Sequence, residues 1–507
     1  PVPWYQVRWL VVVREREGDT SGDPLHCTVA LCGDPGNAST MVNAWMVVTT
    51  LVVSVLVILM AIYFVVFFSS DEDKSAAWFP KVLTVLGISF ALFLVLLLPL
   101  DVSNRSLNGG FDMENLWLVI YITVAVLVVA VFPFAIFYYE AQEENKTCCN
   151  QICTGLVYSS ILIAAFGVAM AIGYTQGSTA EIPYQRLPPA TSVSNQETNE
   201  SGQIFPIQVS VSVYIIAMIA FLGWMVFIIF AGVGISALPM DFLNDFRKRV
   251  KKPTPEQIRQ HEHDRNDRVR RLLESAGEID KMPEGRQKRK MKRLFEQAVY
   301  VLTQEEEQFK RDKNASALLP FVKLFAGILF VGLSISWILH IILYNITDET
   351  PFLNTFFVKM DSAFALFGII GYGLWTFYLM WCVIKGQTRF GLQIPLCCKI
   401  YPLQRNNTLM NAFLFNTALM LLSATVVVQF AANSFSVYTN QTAVNSLFGT
   451  YIENLQGIRH VWPVYLYIWL GFAGLSFLYL LICPRKAVKK VDVDDILAAK
   501  HIFKTNA

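Results

Sequence analysis

The stretch VNAWMVVTTLVVSVLVILMAIYFVVFF, residues 42–68, decides the fold because it contains no Asp, Glu, Lys, Arg or His. A helix needs about 20 predominantly apolar residues to cross the hydrocarbon of a bilayer. Eight further apolar runs follow, at residues 82–100, 116–139, 152–174, 209–236, 321–344, 364–384, 409–432 and 464–483. The sequence therefore predicts an all-α polytopic integral membrane protein with nine transmembrane helices.

The composition agrees with a membrane protein. Hydrophobic residues make up 54% of the chain and charged residues only 16%, whereas soluble domains carry about 25% charged residues. Residues 286–293 form a basic run, but this run lacks the interleaved aromatic side chains that stack on nucleic-acid bases. We therefore expect membrane lipids, and no nucleic acid, among the partners.

Lys and Arg residues are distributed unevenly between alternate connections. After the first span, the connections on one side contain only Arg105, Arg186, Lys359 and Arg459. The other side contains 20 in the polar segment 241–320 alone. Because cytoplasmic loops are enriched in Lys and Arg, we expect the N-terminus outside or in a lumen and the C-terminus in the cytosol.

The spans and connections divide the chain into five parts. These are an external or lumenal N-terminal segment (1–41), spans one to five (42–240), a basic cytosolic segment (241–320), spans six to nine (321–483) and a cytosolic tail (484–507). A cleaved signal peptide or an incomplete N-terminal sequence would each account for the start at Pro1.

The segment 241–320 is predicted to be a coiled-coil-like helical hairpin. Thr254 followed by Pro255 and Gln257 is typical of a capping box at a helix start. Gly277 is the expected end of this helix, and a second helix is expected to begin near Pro283. Both helices carry an apolar stripe, which favours pairing with each other over a groove for another protein.

Several residues are candidate modification or lipid-contact sites. Five glycosylation sequons fall on the predicted outer side, at Asn37, Asn104, Asn199, Asn345 and Asn440. Cys27 and Cys32, on that same side, could close a small disulfide loop. A basic cluster after the fifth span is a topological anchor or an anionic-lipid contact; its members are Arg247, Lys248, Arg249, Lys251 and Lys252.

Catalytic chemistry is not indicated. Enzymes and ion-coupled carriers of membranes place ionisable groups within their spans, and here His340 is the main exception. We expect His340 to bond a neighbouring helix or water, and Asp101 and Asp361 to be solvated at span ends. No metal site, cofactor or enzymatic activity is expected.

Other features predict local structure. Asn411, Asn416 and Gln429 are expected to form hydrogen bonds between helices. Gly232 and Gly234 permit close helix approach, and Pro239 is expected to end the fifth helix. The outer connection 175–208 is predicted to be a mobile loop. The outer connection 433–463 is apolar, which predicts a folded cap or an interfacial helix; a ligand-contact surface is a weaker alternative.

Six extended stretches resemble the limb-region-1-like family, also called lipocalin-interacting membrane receptors. They are LLLPLDVSNR (96–105), FPFAIFYYE (132–140), GVGISALPMDFL (232–243), PFLNTFFVKMDSAFALFG (351–368), TLMNAFLFN (408–416) and VQFAANSF (428–435). The resemblance covers residues 41–483 and is nearest to plant and protist members. The first 40 residues depart from the family pattern.

The resemblance implies nine spans, an external N-terminus and a membrane receptor or an adaptor in trafficking, endocytosis or signalling. The implied partners are a lipocalin or small apolar ligand and a protein bound through the outer loops or the hairpin. The implied location is the plasma membrane or an endosomal or lysosomal membrane. The alternative is a transporter, lipid scramblase or channel for an uncharged or amphipathic substrate.

Overall fold

The computed structural model describes most of the chain between residues 44 and 482. The described ranges are 44–68, 78–106, 110–143, 148–184, 203–247, 253–281, 286–314, 318–347, 349–364, 366–390, 392–393, 399–400, 408, 410–440 and 442–482.

Helices account for almost all of these residues. In chain order they are α1 (Ala44–Phe68), α2 (Trp78–Ser106), α3 (Met113–Val126), α4 (Phe132–Glu143), α5 (Cys148–Gly177), α6 (Val211–Arg247), α7 (Pro255–Asp280), α8 (Arg286–Lys313), α9 (Leu319–His340), α10 (Phe352–Ala363), α11 (Phe367–Phe390), α12 (Met410–Ser434), α13 (Ala443–Asn445) and α14 (Ile458–Ile482). π-Helical turns at Leu127–Val131, Ile341–Ile346 and Ser446–Ile452 continue α3, α9 and α13.

Nine of the helical segments in the described ranges are long and apolar enough to cross a membrane, which confirms the predicted number. The third is a composite, Met113–Ala141, in which a π-helical turn joins α3 to α4 just before Pro133. The sixth, Leu319–Ile346, likewise ends in a π-helical turn. Such turns interrupt the regular ladder of backbone hydrogen bonds and often mark functional positions.

The fifth span does not end at Pro239, so that prediction was wrong. α6 continues through this residue to Arg247. Proline lacks an N–H and therefore leaves the carbonyl four residues earlier without its helical donor. That carbonyl belongs to Ile235, and the hydroxyl of Ser334 on α9 donates to it at 2.6 Å. The neighbouring helix thus satisfies the group that the proline frees, as membrane interiors require.

Substitution of Ser334 by alanine tests this compensation. We expect a loss of about 1–3 kcal/mol of stability, because the Ile235 carbonyl would be buried without a partner. The loss should shrink when Pro239 is also replaced by alanine, since the restored N–H can bond the carbonyl. Thermal unfolding of the four proteins in detergent measures the coupling. Equal losses in both backgrounds would disprove the link.

The chain divides into two compact units, Pro1–Ala237 with Leu333–Phe477, and Leu238–Gly332 with Leu478–Ala507. In the first unit α12 is central: 21 of its 25 residues are buried. It packs against α2, α4 and α11. Two of the predicted hydrogen bonds between helices are confirmed on α12. Gln387 of α11 donates to Asn416, and Trp224 of α6 donates to Gln429.

Glycine permits the closest approach between helices in this unit. A Cβ on Gly234 of α6 would overlap the carbonyl oxygen of Cys382, and a Cβ on Gly386 of α11 would overlap that of Phe230. The two helices therefore touch backbone to backbone from both sides. This confirms the close approach predicted for Gly234, and Gly232 lies similarly tight against Phe472 of α14.

The connection 175–208 is structured at its two ends, where a mobile loop was predicted. β1 (Thr179–Tyr184) and β2 (Gln203–Gln208) pair antiparallel, with Thr179 opposite Gln208. The Ser-, Thr- and Asn-rich middle, 185–202, lies outside the described residues. A second, two-residue pairing joins β3 (Leu392–Gln393) to β4 (Lys399–Ile400).

The second unit contains the predicted helical hairpin, made of α7 and α8. The capping box at Thr254 and Gln257 is confirmed in both of its hydrogen bonds. Gly277 does not end α7, which continues to Asp280. The reason is packing: Ile279 is buried beyond the glycine, and this gain offsets the roughly 1 kcal/mol that glycine costs a helix.

The two helices pair through one apolar layer and a set of ion pairs. Leu272 and Ala298 are buried against each other, with Phe295, Val301 and Leu302 packed around them. Further along, Arg268 lies 3.0 Å from Glu305 and Arg265 lies 3.1 Å from Glu306. His261 stacks on Phe309 with ring centroids 3.7 Å apart.

Glu306 makes the pairing sensitive to acid. Partial burial opposes its ionisation, but the hydrogen bond and charge of Arg265 outweigh this effect and lower the pKa of Glu306. Because the pKa of Glu306 is lowered in the folded hairpin, its ion pair stabilises the fold at pH values above the free glutamate pKa of about 4.3. This stabilisation is lost as the pH falls below that value. We expect lower hydrogen-exchange protection factors, corrected for the pH dependence of intrinsic exchange, in residues 255–280 and 286–313 of the full chain at pH 3.5 than at pH 6. Glu306→Gln should cost less than about 1 kcal/mol and remove part of this change, whereas the exposed control Glu262→Gln should leave it intact.

Candidate functional site

The segment between α12 and α14, residues 435–457, folds over the ends of several spans, and we call it the cap. Phe435, Phe448 and Ile452 are buried in it. This confirms the prediction of a folded cap. Since the cap is tied to the spans by buried polar groups, it forms the most highly organised polar region described in the first unit.

Asp101 of α2 forms the first of two carboxylate clasps that hold the cap. Its carboxylate accepts hydrogen bonds from Trp117 Nε1 at 3.0 Å and from the backbone N–H of Val444 at 2.8 Å and of Ala443 at 3.4 Å. The two N–H groups belong to the first turn of α13, where helical donors have no partner in the helix. A carboxylate at that position is also favoured by the helix dipole.

The expectation that Asp101 is solvated was wrong, because only 2% of its surface is exposed. The cap covers this end of α2 and replaces water with three donors. A buried carboxylate persists only when such hydrogen bonds compensate its lost hydration. Asp101 is therefore a structural anchor between the second span, the third span and the cap.

Asn354 and Asp361 of α10 form the second clasp. Asn354 donates to the carbonyl of Ser434 at 3.2 Å and accepts from the N–H of Tyr438 at 3.0 Å. The hydroxyl of Tyr438 donates to Asp361 at 2.8 Å, and the N–H of Gly368 donates to the other oxygen of Asp361 at 2.8 Å. The second clasp thus joins α10, the start of α11 and the cap.

His340 extends the second clasp toward the sixth span. Its Nε2 lies 2.9 Å from the Ser434 carbonyl, which confirms the predicted bond to a neighbouring helix. The ring stacks between Phe435 and Tyr344, at 5.2 and 5.3 Å. Since the partner of Nε2 is a carbonyl oxygen, the proton lies on Nε2. Nδ1 has no hydrogen-bond partner within the described residues.

Tyr438→Phe tests the second clasp. Burial, and next the hydrogen bond to Asp361, raise the pKa of Tyr438. At pH values below the free tyrosine pKa of about 10 the hydroxyl is protonated and donates to Asp361. The stabilisation from this bond is lost as the pH rises above that value. We expect the variant to lose about 1.5–3 kcal/mol, as for a bond to a charged group. Thermal unfolding measures the loss, and Tyr451→Phe on the exposed face of the cap should match wild type.

An aromatic crevice lies beside the clasps between α6, α12, α14 and the cap. It is lined by Ala217, Phe221, Trp224, Gln429, Ile452, Ile458, Trp462 and Tyr465. Trp224 donates to Gln429 at 3.0 Å and stacks on Tyr465 at 5.3 Å. The cavity volume is about 10 Å³, which is about the minimum for one water molecule.

The β1–β2 hairpin adds to the cap from another connection. Glu181 N donates to the carbonyl of Asn454 at 2.9 Å, and Gln456 N donates to that of Thr179 at 3.0 Å. The Glu181 carboxylate lies 3.6 Å from Arg459 at the start of α14. Two connections distant in sequence therefore form one joint surface.

The predicted modification sites are scattered. Asn104 is engaged with the backbone of Phe111 through both ends of its amide, at 3.0 and 3.1 Å. Asn345 is partly buried in the π-helical turn that ends the sixth span, whereas Asn440 is exposed in the cap. Arg247 is exposed at the end of α6. The remaining predicted positions lie outside the described residues; they are Asn37, Asn199, Cys27, Cys32, Lys248, Arg249, Lys251 and Lys252.

Of the described predicted sites, Asn104 lies one turn beyond Asp101 on α2, and Asn440 lies two residues beyond Tyr438 in the cap. The clasp roles of Trp117, Asn354 and Tyr438 were not predicted from the sequence. A signal was present in Asp101 and Asp361, because an acid beside an apolar run is costly unless it is paired. Within the described ranges no three His, Cys, Asp or Glu side chains lie close enough together to hold a metal ion.

Comparison with known proteins gives consistent similarities. The family model described as "LMBR1-like membrane protein" matches residues 46–316 and 243–477. A LIMR family protein of Dictyostelium discoideum is 32% identical over 89% of this chain and 100% of its own length. A LIMR family protein of Arabidopsis thaliana is 31% identical over 86% of this chain and 96% of its own.

A more distant similarity extends to a protein of different description. A Dictyostelium discoideum protein named "Probable lysosomal cobalamin transporter" is 24% identical over 36% of this chain and 37% of its own length. No solved structure matches the chain.

Proposed function

Because the chain belongs to the LMBR1-like (LIMR) family of membrane proteins, we propose that it is a non-enzymatic membrane receptor or an adaptor in trafficking or signalling. The cap and the β1–β2 hairpin form the ligand-recognition surface in this proposal. The α7–α8 hairpin and the C-terminal tail engage cytosolic machinery. A lipocalin-type protein or another carrier of a small apolar ligand fits the apolar groups on the cap.

The observation that carries the proposal is the way the cap is held. Two buried clasps fix it to spans, and α12 beneath it is packed with side chains over most of its length. The aromatic crevice at its edge has a volume of about 10 Å³, far below the roughly 300–1,000 Å³ of small-molecule sites. A surface held in place by such contacts supports recognition of a partner, because little ordering entropy is lost on binding.

The proposal includes an orientation. With the N-terminus outside or in a lumen, connections after even-numbered spans are external, which places the cap and Asn440 outside and α7–α8 in the cytosol. The membrane is the plasma membrane or that of endosomes or lysosomes. We expect a glycan at Asn440 or Asn199 and none in the hairpin; glycosidase shifts of single-sequon variants measure this, and a glycan on Asn314 would contradict the orientation.

Affinity purification in mild detergent, with mass spectrometry of proteins and lipids, tests the receptor reading. Wild type should recover a stoichiometric protein partner. Val437→Asp, which places a charge on an exposed apolar cap position (46% exposed), should lose that partner by disrupting an apolar contact. Glu114→Ala, at an exposed position at the start of α3 and outside the cap, is the control and should keep the partner. Failure to recover a specific partner from native membranes would count against the proposal.

A transporter, scramblase or channel is the second candidate. The π-helical turns in the third and sixth spans favour it, because such turns provide positions where a helix can change its packing. The similarity to a protein named as a cobalamin transporter points the same way. Flux of lipid, cobalamin or ions through reconstituted liposomes would establish this function, and absence of all three fluxes would remove it.

A further inference from the structure

The α7–α8 hairpin carries an apolar stripe that nothing in the described part of the chain covers. Leu273 is 67% exposed, and Val269 and Val299 are each 39% exposed. Ala276, about one turn beyond Leu273 on α7, is partly buried. Single exposed hydrophobic residues are normal on protein surfaces and need no explanation. Several of them close together on an otherwise charged pair of helices indicate a contact surface.

The helical register places these four residues, the hairpin stripe, on one side. Val269, Leu273 and Ala276 each follow by one position a residue that faces α8, and Val299 follows Ala298, which faces α7. When two helices pack antiparallel, the residue that follows an interface residue points to the same side of the helix pair, whichever of the two helices it belongs to. The stripe is therefore a continuous seam along the hairpin.

Positive charge borders one end of the hairpin stripe. Lys292 lies two turns before Val299 on the same side of α8 and is exposed. It belongs to the basic run 286–293, at the start of α8 and close in sequence to the end of α7. A complementary occupant therefore combines an apolar helical face with acidic residues.

The C-terminal sequence VDVDDILAAKHIFK, residues 491–504, has this combination. Val493, Ile496 and Leu497 recur at helical spacing, and three aspartates surround them at positions 492, 494 and 495. Four spans separate the hairpin from the tail. An even number of crossings returns the chain to the same side of the membrane, whichever side that is.

The connecting chain is long enough. From Lys313, at the end of α8, to Val299 the helix rises about 21 Å at 1.5 Å per residue. From Pro255 to Leu273 the rise along α7 is about 27 Å by the same measure. The ten residues 483–492 reach up to about 33 Å when extended. The tail can therefore place Ile496 and Leu497 on the stripe.

We propose that residues 491–504 dock on the hairpin stripe as a third helix, with Ile496 and Leu497 against Val269, Leu273 and Val299 and the aspartates beside the basic run. Docking conceals an acidic segment followed by two apolar residues, the kind of short signal that cytosolic sorting machinery reads. The hairpin thereby controls access to the tail. This regulatory consequence rests on the proposed adaptor function, whereas the docking itself does not.

Disulfide trapping in the full chain tests the contact. The pair Leu273→Cys and Leu497→Cys should crosslink under mild oxidation at least about tenfold faster than Arg270→Cys with Leu497→Cys, because a tethered segment has a high effective concentration at its own site. Arg270 is three residues away on the same helix, and its side chain is 82% exposed. Mass spectrometry of peptides distinguishes these bonds from bonds to native cysteines.

Alkylation gives a readout that does not depend on forming a crosslink. The single variant Leu273→Cys should react with a maleimide about tenfold faster after deletion of 491–507, if docking protects it nine-tenths of the time. Lys292→Glu should produce a similar increase in the full chain. The reactivity of Arg270→Cys should remain unchanged by the deletion.

Two outcomes would overturn the proposal. Equal crosslinking of the two pairs, together with unchanged alkylation on deletion, would show that the tail does not cover the stripe. A crosslinked product that migrates as a dimer would assign the stripe to a second copy of the chain. Neither outcome bears on the cap partner, so failure here leaves the receptor proposal intact.

Discussion

Gly234→Ala is expected to abolish or severely reduce correct packing of the first compact unit, with a loss of more than about 3 kcal/mol. Overpacking a tight core usually costs about 1–3 kcal/mol, and this site has less freedom than most. The added methyl group meets the backbone carbonyl of Cys382, which cannot rotate aside as a side chain can. The reciprocal contact of Gly386 with Phe230 prevents α11 from shifting to make room.

The effect is measured by the yield of monodisperse protein on size exclusion and by the midpoint of thermal unfolding in one detergent. Gly471→Ala on α14 is the matched control, since nothing lies within 4 Å of its added Cβ. That control should be neutral or stabilising by up to about 1 kcal/mol, because alanine favours a helix more than glycine. Equal unfolding midpoints for the two variants would contradict the backbone contact between α6 and α11.

Asp101→Ala is expected to release the cap and destabilise the protein by about 3–5 kcal/mol. The substitution leaves the Trp117 indole N–H and the N–H groups of Val444 and Ala443 buried without an acceptor. Each unsatisfied buried donor costs about 1–3 kcal/mol. The resulting cap should open more often, so that residues 435–457 become accessible to protease before the spans unfold.

A conservative series separates charge from shape at this position. Asp101→Asn keeps one oxygen, which can accept from both Trp117 and Val444, so its loss should be about half that of the alanine variant. Glu114→Ala, on the exposed face of α3, should leave proteolysis unchanged. Similar protease sensitivity of Asp101→Ala and wild type would show that the first clasp does not hold the cap.

The spans and the hairpin start were predictable because they depend on local patterns. Apolar length decides a span, as at residues 42–68, and the Thr254 box decides a helix start without help from distant residues. The errors at Pro239 and Gly277 share a cause. In both cases tertiary structure overrode a local rule for ending a helix, through the Ser334 hydroxyl in the first and through the burial of Ile279 in the second.

The clasps could not be predicted because nothing local identifies the partners. Asp101 and Asp361 are visible in the sequence as acids beside apolar runs, yet their donors in the cap are separated from them by long stretches of chain. Backbone N–H groups are present at almost every residue, so a carboxylate that binds Ala443 and Val444 leaves no mark in the composition of the cap. Only the packing of the spans determines which backbone N–H groups meet which carboxylate.

The distance along the chain between Asp101 and the N–H groups of the cap that donate to it has a consequence for biosynthesis. Val444 follows Asp101 by 343 residues, so at about 5–20 residues per second the second span waits roughly 20–70 s for its partner. During that interval the carboxylate lacks its two donors in the cap, and of its three donors only Trp117 of the third span has been made. The first clasp therefore closes only after the eighth span has been made, and its closure marks a chain as nearly complete. Chains that stop earlier carry an acid without its cap donors at the end of the second span.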